Sequence, residues 1–269
     1  KTVSELVMEV KPLSPKSVYA SISSGKESIF MMSATIGDPQ ALICNELGTG
    51  NYSYKSWPHP VPASKRPVYD IANYAMTHSN ITKNPSLYNK QAGDIANWIN
   101  KKTDRDWRGI VLTTSHLKVR MLRNELERKL RDGRKVFASD PDLYDLQERI
   151  DRFVKNKDTG TVQIDTIQGW GTGVDLRGDI ARYSVVAGVP LSNPVDRFDS
   201  LRFSTPEGRA YAYAFAYNSV MQATGRVSRG EVENGEYMLN TAALADKLAT
   251  APMAMAFYSQ WFKDAITKT

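Results

Sequence analysis

Two guanidinium groups stand three residues apart, behind a glycine, in Gln222-Ala-Thr-Gly-Arg-Val-Ser-Arg229. On a helix or helix end, this spacing puts Arg226 and Arg229 on one face. Two planar forks on one face can clamp a polyanion, because each guanidinium holds two phosphate oxygens in a fixed plane. Gly225 leaves no side chain where a nucleotide would approach the backbone. Alone, the pattern reads as a solvated helix face with two surface arginines. Three further segments change that balance.

The first is Gln168-Gly-Trp-Gly-Thr-Gly-Val-Asp-Leu-Arg-Gly178. Its glycines at 169, 171, 173 and 178 let backbone N–H groups come close to an anion. Asp175 offers a carboxylate for a sugar hydroxyl or an arginine. A tight structural turn is the plain alternative. The second is Thr113-Thr-Ser-His116, and the third is Ser33-Ala-Thr35. Both carry small hydroxyls just after an apolar run.

The elements that must position these segments alternate along the chain. Helices are expected at 91–100, 117–131, 142–154 and 206–223, and mostly helix at 242–263. Apolar runs at 28–32 and 183–189, and the segments at 109–113, 135–138, 161–166 and 235–240, read as strands. The helix at 117–131 has a stripe of Val119, Leu122, Leu126 and Leu130 at spacings of three and four. Ser139 or Asp140 is the expected cap of the helix at 142–154, with Pro141 in its first turn. At 211–217, Tyr and Phe alternate with Ala, a period that also suits a strand; length and small-residue content favour a helix. Residues 48–67 read as an irregular connection, kept extended by four prolines. Helices alternating with short apolar strands indicate an α/β fold, a mainly parallel sheet covered on both faces. Ligands then sit at the carboxyl ends of the strands. That is where the hydroxyl and glycine segments fall, together with Pro190-Leu-Ser-Asn-Pro194.

Composition is that of an ordinary globular domain: 269 residues, 41% hydrophobic and 24% charged. A chain of this length can bury a substantial core. No apolar run is long enough to cross a bilayer, so no membrane partner is expected. The single Cys44 excludes an internal disulfide and a cysteine-held metal or iron–sulfur cluster within the chain, and suits a reducing, cytoplasmic setting. The three histidines are far apart, so no metal site is expected. Net charge is +6. Residues 116–135 hold eight basic and three acidic side chains, a local +5 that suits a phosphate backbone. Pairs such as Glu125–Lys129 and Glu127–Arg131 would instead make this a solvated helix face. Trp170 and Tyr183 read as packing residues, with base stacking as the alternative.

Taken in order, Ser33-Ala-Thr35, the strand ending in Thr114-Ser115, Gly171-Thr-Gly-Val-Asp-Leu-Arg-Gly178 and Gln222-Ala-Thr-Gly-Arg-Val-Ser-Arg229 resemble motifs III to VI of superfamily 2 helicases. The DinG/XPD-like branch is the most similar. Lys11-Pro-Leu-Ser-Pro15, Arg66-Pro-Val-Tyr69 with Met76, Val189-Pro-Leu-Ser-Asn-Pro194 and Asn234-Gly-Glu-Tyr-Met-Leu239 support the likeness, which spans nearly the whole chain. The resemblance implies a RecA-like three-layer sandwich. Residues 1–269 would form the second, C-terminal motor domain, with 1–66 a leading segment and 67–269 the main lobe. It implies that Arg226 and Arg229 are arginine fingers for ATP, with Mg²⁺, held mainly by a first RecA-like lobe. Gln222, Gly225, Gly173 and Asp175 would line the nucleotide side. Thr114, Ser115 and Thr172 would face the backbone of single-stranded or forked DNA, and Ser33 and Thr35 would couple nucleotide state to strand grip.

The departures are specific. No Walker A loop and no acidic DExH box is present, and neither are the cluster cysteines of the branch. Gly171-Thr-Gly173 stands where the branch often has Trp-Glu-Gly, and Asn240 where it has an aspartate after the last strand. The chain is therefore expected to be one lobe of a longer ATP-dependent DNA helicase, cytoplasmic or nucleoid-associated and inactive as a fragment. A RecA-like nucleic-acid-binding module without catalysis is one alternative. A duplex translocase that does not unwind is another.

Overall fold

The computed structural model describes residues 16–268, apart from 34, 36, 38, 41–43, 45, 46, 51, 132, 139–144, 157, 159, 171–173, 175, 177, 193–195, 229–231 and 234. Its strands are β1 (Val68–Asp70), β2 (Gly109–Thr113), β3 (Val136–Ala138), β4 (Val162–Thr166), β5 (Tyr183–Val186), β6 (Val232–Glu233), β7 (Glu236–Tyr237), β8 (Thr241–Leu244) and β9 (Ile266–Lys268). Its helices are α1 (Lys16–Ser23), α2 (His78–Lys83), α3 (Leu87–Lys102), α4 (His116–Lys129), α5 (Leu146–Lys155), α6 (Ile167–Trp170), α7 (Arg197–Phe203), α8 (Pro206–Thr224), α9 (Pro252–Phe257) and α10 (Gln260–Lys263). Seven strands pair in the order β3-β4-β2-β5-β8-β1-β9. All six pairings are parallel.

Side chains alternate across the sheet, and each face finds a helical layer. Ile110 and Leu112 of β2 enter a core with Phe153 of α5, Trp170 of α6 and Tyr217 and Val220 of α8. Val111, between them, enters a second core with Ile95 and Ile99 of α3 and Val119, Leu122 and Leu126 of α4. The sheet is thus the middle of three layers, the α/β sandwich expected. Strands β2, β4 and β5 are buried at every residue, which is why β2 and β5 read as near-continuous apolar runs; β4 also buries Gln163 and Asp165.

The period-two stretch at 211–217 is helical. Thr205 caps α8 by accepting from Gly208 N, Pro206 takes the first turn, and Ala212, Ala214 and Ala216 face inward. Tyr211 and Phe215, one helical turn apart, stack at 6.1 Å on the other side.

Several expectations are corrected. The run at 28–32 forms no strand; Phe30 is 83% exposed and Met32 85%. An apolar run specifies no partner, and neither outer strand of the sheet pairs with it. Between 235 and 240 the described residues give only β7, paired antiparallel with β6. The sheet strand comes later, at β8, inside the stretch expected to be helical. Ala-Ala at its centre carries little strand signal, but both its edges find parallel partners, β5 and β1. Asn240 therefore precedes the last central strand, and the aspartate that follows it is Asp246. The proposed caps Ser139 and Asp140, with Pro141, lie outside the described residues; Asp145 caps α5, accepting from Glu148 N at 2.8 Å. Trp170 and Tyr183 are fully buried, which excludes base stacking in this structure.

Candidate nucleotide and nucleic-acid site

The arginine motif begins at the end of α8. That helix stops at Thr224, with Gly225 as its cap in ordinary right-handed geometry (φ −75°). Arg226 therefore lies just past the end of the helix. A Cβ on Gly225 would meet Met221 O at 3.3 Å, a tight but small intrusion. The Arg226 side chain is 7% exposed and donates from Nη1 to Val174 O at 3.1 Å. This contact ties the arginine motif to the glycine-rich segment, across 52 residues of chain. Arg229, Thr172, Gly173 and Asp175 lie outside the described residues.

Gln222, on the last turn of α8, donates from Nε2 to Thr35 Oγ1 at 3.0 Å. Thr35 N in turn donates to Ser33 Oγ at 3.2 Å, so the Ser33 hydroxyl is engaged in its own turn. Gly37 fixes the path of this turn. Its φ is +68°, and a Cβ there would lie 2.6 Å from Phe257 O at the end of α9. Ser33, Thr35, Gln222, Gly225, Arg226 and Ser228 all line one cavity of about 1430 Å³. The structure thus joins the coupling candidates to the described nucleotide candidates. Tyr52, Tyr54 and Trp57 of the irregular connection line the same cavity.

His59 and Trp261 close part of its wall, their rings 4.9 Å apart. Arg66 lies over the Trp261 ring at 5.1 Å and donates to Val61 O at 2.8 Å. Burial first, then the Arg66 charge, push the His59 pKa below its ordinary 6.5. A depressed histidine contributes stability that is present above the unfolded value and lost as pH falls through the folded one. Melting temperature is therefore expected to fall on acidification below about pH 6, and to fall less in His59→Gln. Identical pH profiles for the two proteins would remove His59 from this account.

Thr114 and Ser115 fall elsewhere, at the carboxyl ends of β2 and its neighbours. Ser115 caps α4, its oxygen accepting from Lys118 N at 3.4 Å, which leaves its O–H able to donate. The Thr114 hydroxyl accepts from Lys118 Nζ at 2.9 Å. Around them sit two residues that motif reading missed. Gln91 is buried on α3 and donates to Ala187 O at 3.4 Å and Ala245 O at 2.7 Å, bracing the ends of β5 and β8. Asp246, 1% exposed, accepts from Met76 N at 3.1 Å and Leu248 N at 3.0 Å. Burial raises its carboxyl above the ordinary range, opposed by those N–H groups and the Lys118 ammonium. Asp246 lies six positions beyond Asn240, which stands where the resemblance expects an aspartate; an aspartate so near was the signal available in the sequence.

Much of the basic excess on α4 is neutralised within the helix. Glu125 pairs with Arg128 and, at 3.5 Å, with Lys129 as expected; Glu127 pairs with Arg123 at 2.8 Å rather than with Arg131. Lys135 pairs with Asp158 at 2.6 Å. Among the described residues, no group of three or more His, Cys, Asp or Glu could hold a metal ion, and no helix is long and apolar enough to cross a membrane.

The profile of the helicase C-terminal domain family (Helicase_C_2) matches residues 99–263. No curated protein matches. Among solved structures the chain is similar to "Structure of S. tokodaii Xpd4", at 14% identity and a TM-score of 0.45. The match covers 82% of this chain and 41% of that one, so the chain spans less than half of the structure it resembles.

Proposed function

Because the chain belongs to the helicase C-terminal domain family, we propose that it is the second motor lobe of a DinG/XPD-like, ATP-dependent DNA helicase. The observation that carries this reading is the hydrogen bond from Gln222 to Thr35, beside Arg226 on one cavity wall. It ties the Ser-Ala-Thr segment to the arginine motif over 187 residues. Such a bond can make one segment sense what the other binds.

In this reading ATP and Mg²⁺ are held mainly by a first lobe and supply the energy of strand movement. The described residues fit a partner role: no Walker A loop is present in the sequence, yet a guanidinium and an amide face a cavity of suitable size. Arg226, with Arg229, neutralises charge that develops on the transferred phosphoryl group. Gln222, Gly225, Gly173 and Asp175 shape the nucleotide side. Thr114, Ser115 and Thr172 face the strand, where contacts are to phosphate and carry no sequence preference. The protein works on single-stranded or forked DNA in the cytoplasm or on the nucleoid.

A double-mutant cycle on the two-lobed protein tests the coupling. Thr35→Val and Gln222→Ala are each expected to lower strand-stimulated ATP hydrolysis up to about tenfold, since a hydrogen bond of this kind is worth roughly 0.5–1.5 kcal/mol. The double variant should lose no more than either single one. Full additivity would mean that the two side chains do not act together.

A further inference from the structure

The sheet changes direction between β2 and β5. The chain leaves β2 through α4, which packs on one face. It leaves β5 toward α8, which packs on the other. Adjacent parallel strands whose connections leave to opposite faces open a crevice at their carboxyl ends, where ligands of open α/β sheets bind. The residues there are Thr114 after β2 and Gly188 after β5, with Asp246 after the neighbouring β8.

One cation occupies this point. Lys118 is only partly exposed, and its Nζ donates to Thr114 Oγ1 at 2.9 Å. Among the described residues no carboxylate lies within ion-pairing distance of it, in contrast to Arg123, Arg128 and Lys129 on the same helix. Burial lowers its pKa, and the charge of Asp246 opposes that only in part. An ammonium withdrawn from water without an ion-pair partner is an incomplete arrangement, which an anion completes. Gly188 keeps the approach open. Its φ is +154°, and a Cβ there would stand 3.0 Å from Thr114 Cγ2 and 3.9 Å from Lys118 Nζ.

We propose that Lys118, with the Thr114 hydroxyl, seats one backbone phosphate of the bound single strand at the crevice between β2 and β5. This rests on the strand-binding role given to Thr114 above and adds the charge that role lacked. The Thr114 oxygen accepts from the ammonium, which leaves its own O–H to donate to a phosphate oxygen. Asp246 and Gln91 hold the ends of β5 and β8 in place around the seat.

The test is fluorescence anisotropy of a fluorescein-labelled oligothymidylate over a potassium chloride series. Lys118→Ala and the longer Lys118→Gln should both bind more weakly, with the slope of log affinity against log salt reduced by about 0.7–1. Lys118→Arg should recover most of the slope, and melting temperatures should stay near wild type. Unlabelled ATP should not displace the strand from this seat. Wild-type slopes in both neutral variants would overturn the assignment of Lys118 alone. Absence of salt-dependent binding by wild type would overturn the strand-binding reading with it. Displacement by ATP that disappears in Lys118→Gln would make the seat a nucleotide site and overturn the proposal too.

Discussion

Arg226→Ala is expected to lower kcat for ATP hydrolysis by the two-lobed protein by on the order of 10³–10⁵, the range of an arginine that meets a transferred phosphoryl group. KM should move much less, because the interaction grows as charge develops on the oxygens. Arg226→Lys should recover only part of the rate: an ammonium supplies charge but not a planar fork. A folding effect must be separated from this. The guanidinium is 7% exposed and donates to Val174 O, so truncation leaves a buried carbonyl unpaired, at about 1–3 kcal/mol. Melting curves of all three proteins apportion the two effects. The 269-residue chain by itself should hydrolyse no ATP. A robust rate from that chain, unaffected by Arg226→Ala, would falsify the arginine-finger reading.

Trp170→Ala is expected to cost about 3–5 kcal/mol of folding stability, the usual range for removing a buried aromatic ring. Trp170 is fully buried, edge-on to Phe153 at 5.6 Å, and the Arg108 guanidinium covers the other ring at 4.4 Å. It stands at the end of α6, where the chain enters the glycine-rich segment. Its loss therefore opens a cavity between α6 and α5. Trp170→Phe should cost far less, under about 1.5 kcal/mol. It keeps most of the buried area and removes an indole N–H that has no hydrogen-bond partner among the described residues. Urea titrations of the two variants measure the difference. If Trp170→Ala unfolded like wild type but bound oligothymidylate weakly, the ring would be a stacking platform and not a core anchor.

The strands at the centre of the sheet were legible because burial on both faces favours near-continuous apolar runs, as in Gly109–Thr113 and Tyr183–Val186. The amphipathic stripe of α4 and the capped α8 were legible from spacing and cap chemistry. Three short strands were not. Val68–Asp70, Thr241–Leu244 and Ile266–Lys268 hold three or four residues each, and their parallel partners stabilise them more than their composition does. The opposite error arose at 28–32, where strong strand composition met no partner in the sheet.

From its residues alone the chain specified an alternating α/β order, a basic helix and four short motifs in helicase sequence. These are local properties: periodicity, residue type and spacing do not depend on what packs against them. Tertiary structure decided which motifs meet. It brought Thr35 to Gln222 and Arg226 to Val174, while sending Thr114 to a separate crevice with Lys118 and Asp246. It also put Arg226 just past the end of α8, which stops at Thr224. Contacts across 50 to 190 positions depend on strand order and crossover direction, and no short-range pattern encodes those.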